Sequence, residues 1–175
     1  MLQVKAGDLE KMGLLFQRYH RPLYGFLYHM TRQKEYSEDM VQNVFFKLLK
    51  YRHSFIGNGE FKTWMYHVAR NVLSDHYRNP KNIANHYPVA DVEEKSSSSR
   101  LPDQLVEAKQ DVQLLAVAMD KLSNENRELL VLCRFQELRY KEIATILGIN
   151  EGAVKVRVHR ALQELKNHCL LLAKE

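Results

Sequence analysis

Two groups of residues in this chain could do chemistry, and in both it is the chemistry of holding a polyanion rather than of making bonds. The first is a stripe at steps of three and four between Phe61 and Arg78: Thr63, His67, Arg70, Asn71, Ser74 and Arg78. Aromatic residues edge it, Trp64 among them, and Lys62 and a polar loop carrying Gly57-Asn58-Gly59 precede it. Cations for phosphates beside aromatic faces for unstacked bases are what a single-stranded nucleic acid site requires. A tryptophan at this spacing is also the usual sign of a core position, and that reading of Trp64 stays open. The second group is Lys155, Val156, Arg157, His159 and Arg160, with Ala153 just ahead, on the outer face of a helix. Tyr140–Leu165 reads as two short helical segments around a tight turn, with Gly148 in place for a left-handed residue and Asn150 as the next N-cap. That is a helix-turn-helix, whose second helix lies in the major groove of duplex DNA. A helical hairpin with a solvated basic face is the plainer alternative.

Bond-making chemistry lacks its parts. The eight histidines are scattered, and none shares a metal-ligand spacing with nearby cysteines or acids. No Gly-rich phosphate loop or nucleophile motif occurs. Neither an enzyme nor a cofactor or metal is expected.

The elements that position both groups are all helical. Leu9, Met12, Leu15 and Phe16 open an amphipathic segment, continued past Pro22 by Tyr19, Leu23, Phe26, Leu27 and Met30. Ser37 to Lys50, SEDMVQNVFFKLLK, follows with Ser37 as its expected N-cap. Met40, Val41, Val44, Phe45, Leu48 and Leu49 point inward there, leaving Glu38, Asp39, Gln42, Asn43, Lys47 and Lys50 outside. Phe61–Arg78 forms the next helix. Val112, Leu115, Ala116 and Met119 give another, and Ser123 caps a further one over Glu125–Glu137. Leu129, Leu130, Cys133 and Phe135 are the expected base for the helix-turn-helix, with Ile143, Ala144, Leu147, Val154, Val158, Ala161, Leu162 and Leu165 packed on it.

At 175 residues, 45% hydrophobic and 27% charged, the chain is sized for one domain or two small ones. Only 7 Gly and 4 Pro disfavour a turn-rich β fold. The net charge of +5 fits a polyanionic partner. No apolar run approaches the ~20 residues of a membrane span, and the start lacks a signal-peptide pattern. Two cysteines, Cys133 and Cys169, make no disulfide framework, so reduced thiols and a cytoplasmic location are expected. The segment 81–111 holds 4 basic and 6 acidic residues between flanks of 12 and 7 and of 10 and 8. It also contains Pro88, Pro102 and Ser96-Ser97-Ser98-Ser99, with Pro80 just ahead of it, and has too little apolar surface to offset its ordering entropy. The expectation is therefore all-α, with an N-terminal helical domain over 1–80, a flexible linker over 81–104 and a C-terminal helix-turn-helix domain over 105–175.

Three motifs in order, SEDMVQNVFFKLLK, FKTWMYHVARNVLSDHYR and LSNENRELLVLCRFQELRYKEIATILGINEGAVKVRVHRAL, resemble the extracytoplasmic-function sigma factors of bacterial RNA polymerase, within the sigma-70 family. The resemblance covers roughly 9–80 and 110–167. It implies that the outer side of the Ser37–Lys50 helix, with Glu38, Asp39, Gln42, Asn43 and Lys47, docks on the clamp coiled coil of the polymerase's largest subunit. Asn43 stands where many relatives carry Glu. It further implies that Asn58 in the loop and Lys62, Trp64, His67, Arg70, Asn71 and Arg78 melt and read the minus-ten element as a single strand, a base being flipped out. Ala153, Lys155, Val156, Arg157, His159 and Arg160 would read the minus-thirty-five element as duplex. Lys155 and Arg160 fall where relatives often carry Arg twice, and a lysine lacks the planar fork that grips guanine. The linker would thread through the polymerase, its Asp91, Glu93 and Glu94 mimicking nucleic acid. Implied partners are core RNA polymerase, promoter DNA and an anti-sigma factor, with no membrane insertion. The alternative function is a conventional helix-turn-helix regulator that binds duplex without polymerase.

Overall fold

The computed structural model describes residues 1–57, 60–78 and 102–174, side chains in the last stretch from residue 111. Among them every regular element is helical. A short α1, Leu2–Lys5, precedes α2, Lys11–Thr31, which runs through Pro22 although that residue cannot donate to the Arg18 carbonyl. Leu9 lies outside α2 and is exposed, as is Phe16, so the apolar face of this segment begins later than its spacing predicts. Arg32, left-handed at φ 56°, ends α2 and turns the chain into α3, Lys34–Lys50.

Helix α3 starts three residues earlier than expected, and Ser37 is not its cap. Ser37 is fully buried inside the helix, its hydroxyl donating to the Gln33 carbonyl at 2.6 Å and lying 2.9 Å from that of Thr31. The Thr31 hydroxyl in turn bonds the Leu27 carbonyl. A serine used to fasten a buried helix–helix corner has the same sequence signature as a cap. After the 3₁₀ turn Arg52–Ser54, α4 spans Phe61–Arg78, the expected bounds.

The helix α5, Pro102–Asp120, begins inside the segment expected as linker; residues 81–101 of that expectation, with Asp91, Glu93 and Glu94, lie outside the described residues. Met119 of α5 is buried while Val112 and Leu115 are exposed, so its core face is carried by its last turn. Arg127, itself only 8% exposed, fixes that end. Its guanidinium donates to the carbonyls of Met119, Asp120 and Leu122, at and just past the helix end, where carbonyls lack the usual partners within the helix.

Helix α6, Asn124–Leu130, is capped by Ser123, whose hydroxyl accepts from the Asn126 N–H. It does not continue to Glu137 as an α-helix but widens into a π-helical stretch, Val131–Phe135, followed by Glu137 at φ 52°. Helices α7, Tyr140–Leu147, and α8, Glu151–Leu172, complete the chain. Glu142 accepts from the Arg139 N–H at the start of α7, Gly148 is left-handed at φ 68°, and the Asn150 side chain accepts from the Ala153 N–H. Gly148 and Asn150 are the expected stop and start signals, and the Glu142 contact is an addition to them; α8 runs seven residues past Leu165. Ile146, with Ile143, forms the buried face of α7; Ala144 and Leu147 are half-buried.

The helices share one hydrophobic core. Leu23, Phe26, Val44, Leu48, Met65 and Val72 from the N-terminal half are continuous with Leu129, Leu130, Leu132, Ile143, Val154 and Val158 from the C-terminal half. Cys133 is half-buried, with burial pushing its thiol pKa up, and Phe135 is 41% exposed. Phe135 does not lie under the helix-turn-helix as expected. Its ring packs at a tilt of 42° against His29 of α2, ring centroids 4.1 Å apart.

Candidate nucleic-acid and partner interfaces

The outer face of α8 is built as its spacing predicts. Val154, Val158 and Ala161 are buried, which turns Lys155, Val156, Arg157, His159 and Arg160 out to solvent. Ala153 is half-buried, its N–H held by the Asn150 cap at 2.7 Å. Lys155, Arg157 and Arg160 form no ion pair among the described residues. The face is rigidly braced and free to meet a groove.

The α4 stripe is in a different condition. His67, Asn71, Ser74 and Arg78 are exposed, but Lys62 and Arg70 are half-buried and occupied. Lys62 Nζ donates to the Gln136 carbonyl at 2.8 Å. Arg70 donates through Nε to Glu128 of α6 at 2.7 Å and through Nη1 to the Ile146 carbonyl at 2.8 Å. All three acceptors come from the C-terminal half. Next to them the Tyr66 hydroxyl donates to Gln136 Oε1 at 2.6 Å, and burial holds that phenol well above its ordinary pKa. Along the rest of the stripe, a cleft of about 420 Å³ separates Asn71, Ser74 and Arg78 from Asn124, Glu125 and Glu128 of α6. Trp64 is half-buried among aromatics, its ring 5.2 Å from Phe55 and 6.3 Å from Phe61, which supplies the core part of its two readings. Asn58 lies outside the described residues.

On α3, Glu38, Asp39, Gln42 and Asn43 are exposed together. Lys47 is instead half-buried and pairs with Asp75 of α4 at 3.0 Å, so it serves the α3–α4 packing as much as the surface. Sequence reasoning missed Phe46, 65% exposed in the midst of Asp39, Gln42, Asn43 and Lys50. An aromatic three and four positions from polar, exposed neighbours was the available signal. It also missed Glu128 and Gln136, for which no local signal exists.

A second tie joins the halves at α5. Arg32 donates to Asp120 at 3.0 Å and to the Ala116 carbonyl at 3.3 Å, and Arg127 lies 3.8 Å from the same carboxylate. Beside it, His29 is held uncharged, its pKa lowered to about 4 chiefly by burial and then by Arg32, with Asp120 opposing. Its Nδ1 has no hydrogen-bond partner among the described residues. No cluster of His, Cys, Asp or Glu that could hold a metal is found among the described residues, and no helix there is long and apolar enough to cross a membrane.

These surfaces fall within two recognisable regions. Residues 15–82 match sigma-70 region 2 and residues 113–165 match sigma-70 region 4. The ECF RNA polymerase sigma factor SigX of Bacillus subtilis is 31% identical over 169 residues, 95% of this chain and 87% of that protein. SigM of the same organism, also an ECF RNA polymerase sigma factor, is 32% identical over 152 residues, 87% of this chain and 91% of its own. The fold is similar to that of the sigma factor RpoE in its complex with the anti-sigma factor NepR from Bartonella quintana, with a TM-score of 0.72, 21% identity, and coverage of 91% of this chain and 96% of that one. The matches to both sigma-70 regions, and the identity to SigX and SigM over most of each chain, place this chain among the extracytoplasmic-function sigma factors of the sigma-70 family, the promoter-specificity subunits of RNA polymerase.

Proposed function

We propose that the chain directs RNA polymerase to a subset of promoters by dividing the work between its two halves, acting in the cytoplasm and without catalysis of its own. Residues 1–80 bind core polymerase and read the minus-ten element; residues 105–175 read the minus-thirty-five element. The observation that carries this is the outward basic face of α8 behind a left-handed Gly148 and a side-chain-capped Asn150. Arg160 and Lys155 hold duplex in the major groove. Asn71, His67 and Arg78, with Lys62 and Arg70 once released, hold the unstacked strand. Melting follows from binding the open strand better than the closed duplex, a population shift rather than a chemical step.

Docking on polymerase is assigned to α3, with Asp39 and Gln42 as polar contacts. Phe46 supplies the apolar anchor between them, of the kind that dominates interface energies. An anti-sigma factor is the further partner expected of such a chain. The test is reconstitution with core polymerase and selection of transcribed promoters from a random library. The expected result is a paired upstream and downstream motif. Recovery of sites bound equally well without polymerase would favour the conventional-regulator reading.

A further inference from the structure

The α4 stripe is not waiting empty for its strand. Lys62 and Arg70, two of its cations, are already satisfied, and by groups that resemble what a strand offers. The Ile146 carbonyl belongs to the last turn of α7, and the Gln136 carbonyl follows the π-helical stretch. Carbonyls at helix C-termini lack partners along their own helix and carry the negative end of the helix dipole. Glu128 adds a full negative charge, 2.7 Å from Arg70. Gln136, only 8% exposed, plugs the remaining gap with its amide: Oε1 on the Tyr66 hydroxyl, Nε2 against Gly25 of α2.

We infer that the C-terminal half acts as an intramolecular competitor for the α4 stripe, with Gln136 and Glu128 as the latch that keeps the strand-reading face closed in the free chain. This rests on the assignment of that stripe to single-stranded DNA. A half-buried guanidinium paired with a carboxylate and a carbonyl, and an ammonium held by another carbonyl, have fewer free donors and, for Arg70, less net charge to offer phosphates. The competitor is tethered, so its effective concentration is far above that of any strand in solution. Affinity for single strand is reduced by the fraction of molecules that are open. The outer face of α8 is exposed in the same closed state and escapes this reduction.

The latch residues are outside the DNA-binding and polymerase-binding machinery, so they can be changed alone. The full-length chain and its Glu128→Gln/Gln136→Ala variant are compared by small-angle X-ray scattering and by fluorescence anisotropy. The probes are a mixed-sequence single-stranded 15-mer and a duplex of the same sequence. Each single variant and circular dichroism confirm that helicity is kept. The radius of gyration should rise by several ångströms in the double variant. Its affinity for the single strand should rise about tenfold, as for a wild type closed nine times in ten, while duplex affinity stays within twofold. A second arm pairs Arg70→Glu with Glu128→Arg, which should return the scattering of the charge-reversed chain to that of the compact form. Unchanged scattering in the double variant overturns the latch. So does expansion without a gain selective for single strand. Transcription by the reconstituted polymerase tests the sigma-factor reading separately, since it does not depend on whether the free chain is closed.

Discussion

Two surfaces in this molecule carry similar side chains in opposite states of readiness. The outer face of α8 presents Lys155, Arg157 and Arg160 to solvent on a helix braced from beneath by Val154, Val158 and Ala161. The α4 stripe presents Asn71 and Arg78 but has Lys62 and Arg70 tied to the C-terminal half. A basic side chain therefore says what a surface can bind, while its existing partners say when it can bind. The first surface is preorganised for duplex, and the second must lose three hydrogen bonds before its cations are fully available.

The largest lever on this difference is pH. Opening exposes His29, whose pKa is lowered to about 4 in the closed form by burial under Phe135 and by Arg32, against the pull of Asp120. A histidine whose pKa is depressed stabilises the closed form fully above its ordinary value near 6.5. That stability is lost progressively as pH falls toward 4. At pH 5 the loss is about 2 kcal/mol. The radius of gyration should increase between pH 7 and 5 in the wild type and far less in His29→Gln. A profile shared by both proteins would place the titration elsewhere.

The next effect separates the two kinds of DNA reading. Arg160→Ala should cost about 1–3 kcal/mol if its fork meets a base edge, relaxing preference at one upstream position. Asn71→Ala should reduce promoter opening and be rescued when the template is supplied already melted, whereas Arg160→Ala should be rescued much less. Permanganate footprints on closed and premelted templates read both. If the two variants respond alike, the contrast between strand and duplex surfaces collapses.

A third comparison concerns α3. Phe46→Ala and Asp39→Arg should each weaken association with core polymerase about tenfold, the cost of an interface anchor. Thermal stability should shift by no more than about 0.5 kcal/mol, because both side chains are exposed. A titrated pull-down with unchanged affinity removes α3 from the interface. The smallest effect is at the cap. Asn150→Ala should destabilise the start of α8 by about 1 kcal/mol, seen in thermal unfolding, and weaken duplex binding through loosened geometry alone. A loss of duplex binding without loss of stability would make Asn150 a DNA contact instead.

What could be read from the sequence was local. The bounds of α4, the left-handed Gly148 and the caps at Ser123 and Asn150 all follow from spacing and turn chemistry within a few residues. What could not be read was pairing across the chain. Ser37 looks like a cap because a hydroxyl before acids usually is one, and only the buried Thr31 opposite it makes it a fastener. Phe135 and Gln136 look like the end of a helix facing its neighbours, and nothing near them announces His29, Tyr66 or Lys62. The residue types of the strand-reading stripe were legible. Their occupancy was not, because it depends on carbonyls 74 and 76 residues away.

The π-helical stretch between Val131 and Phe135 gives this arrangement a simple genetic handle. A π-turn is in effect one extra residue in an α-helix, and one residue turns an α-helix by about 100°. Deleting a single codon there would restore ordinary winding and swing Phe135 and Gln136 away from α2 and α4. Every side chain assigned to polymerase, strand or duplex would remain. A lineage could thus gain or lose closure of the free protein in one mutational step, leaving its promoter vocabulary untouched.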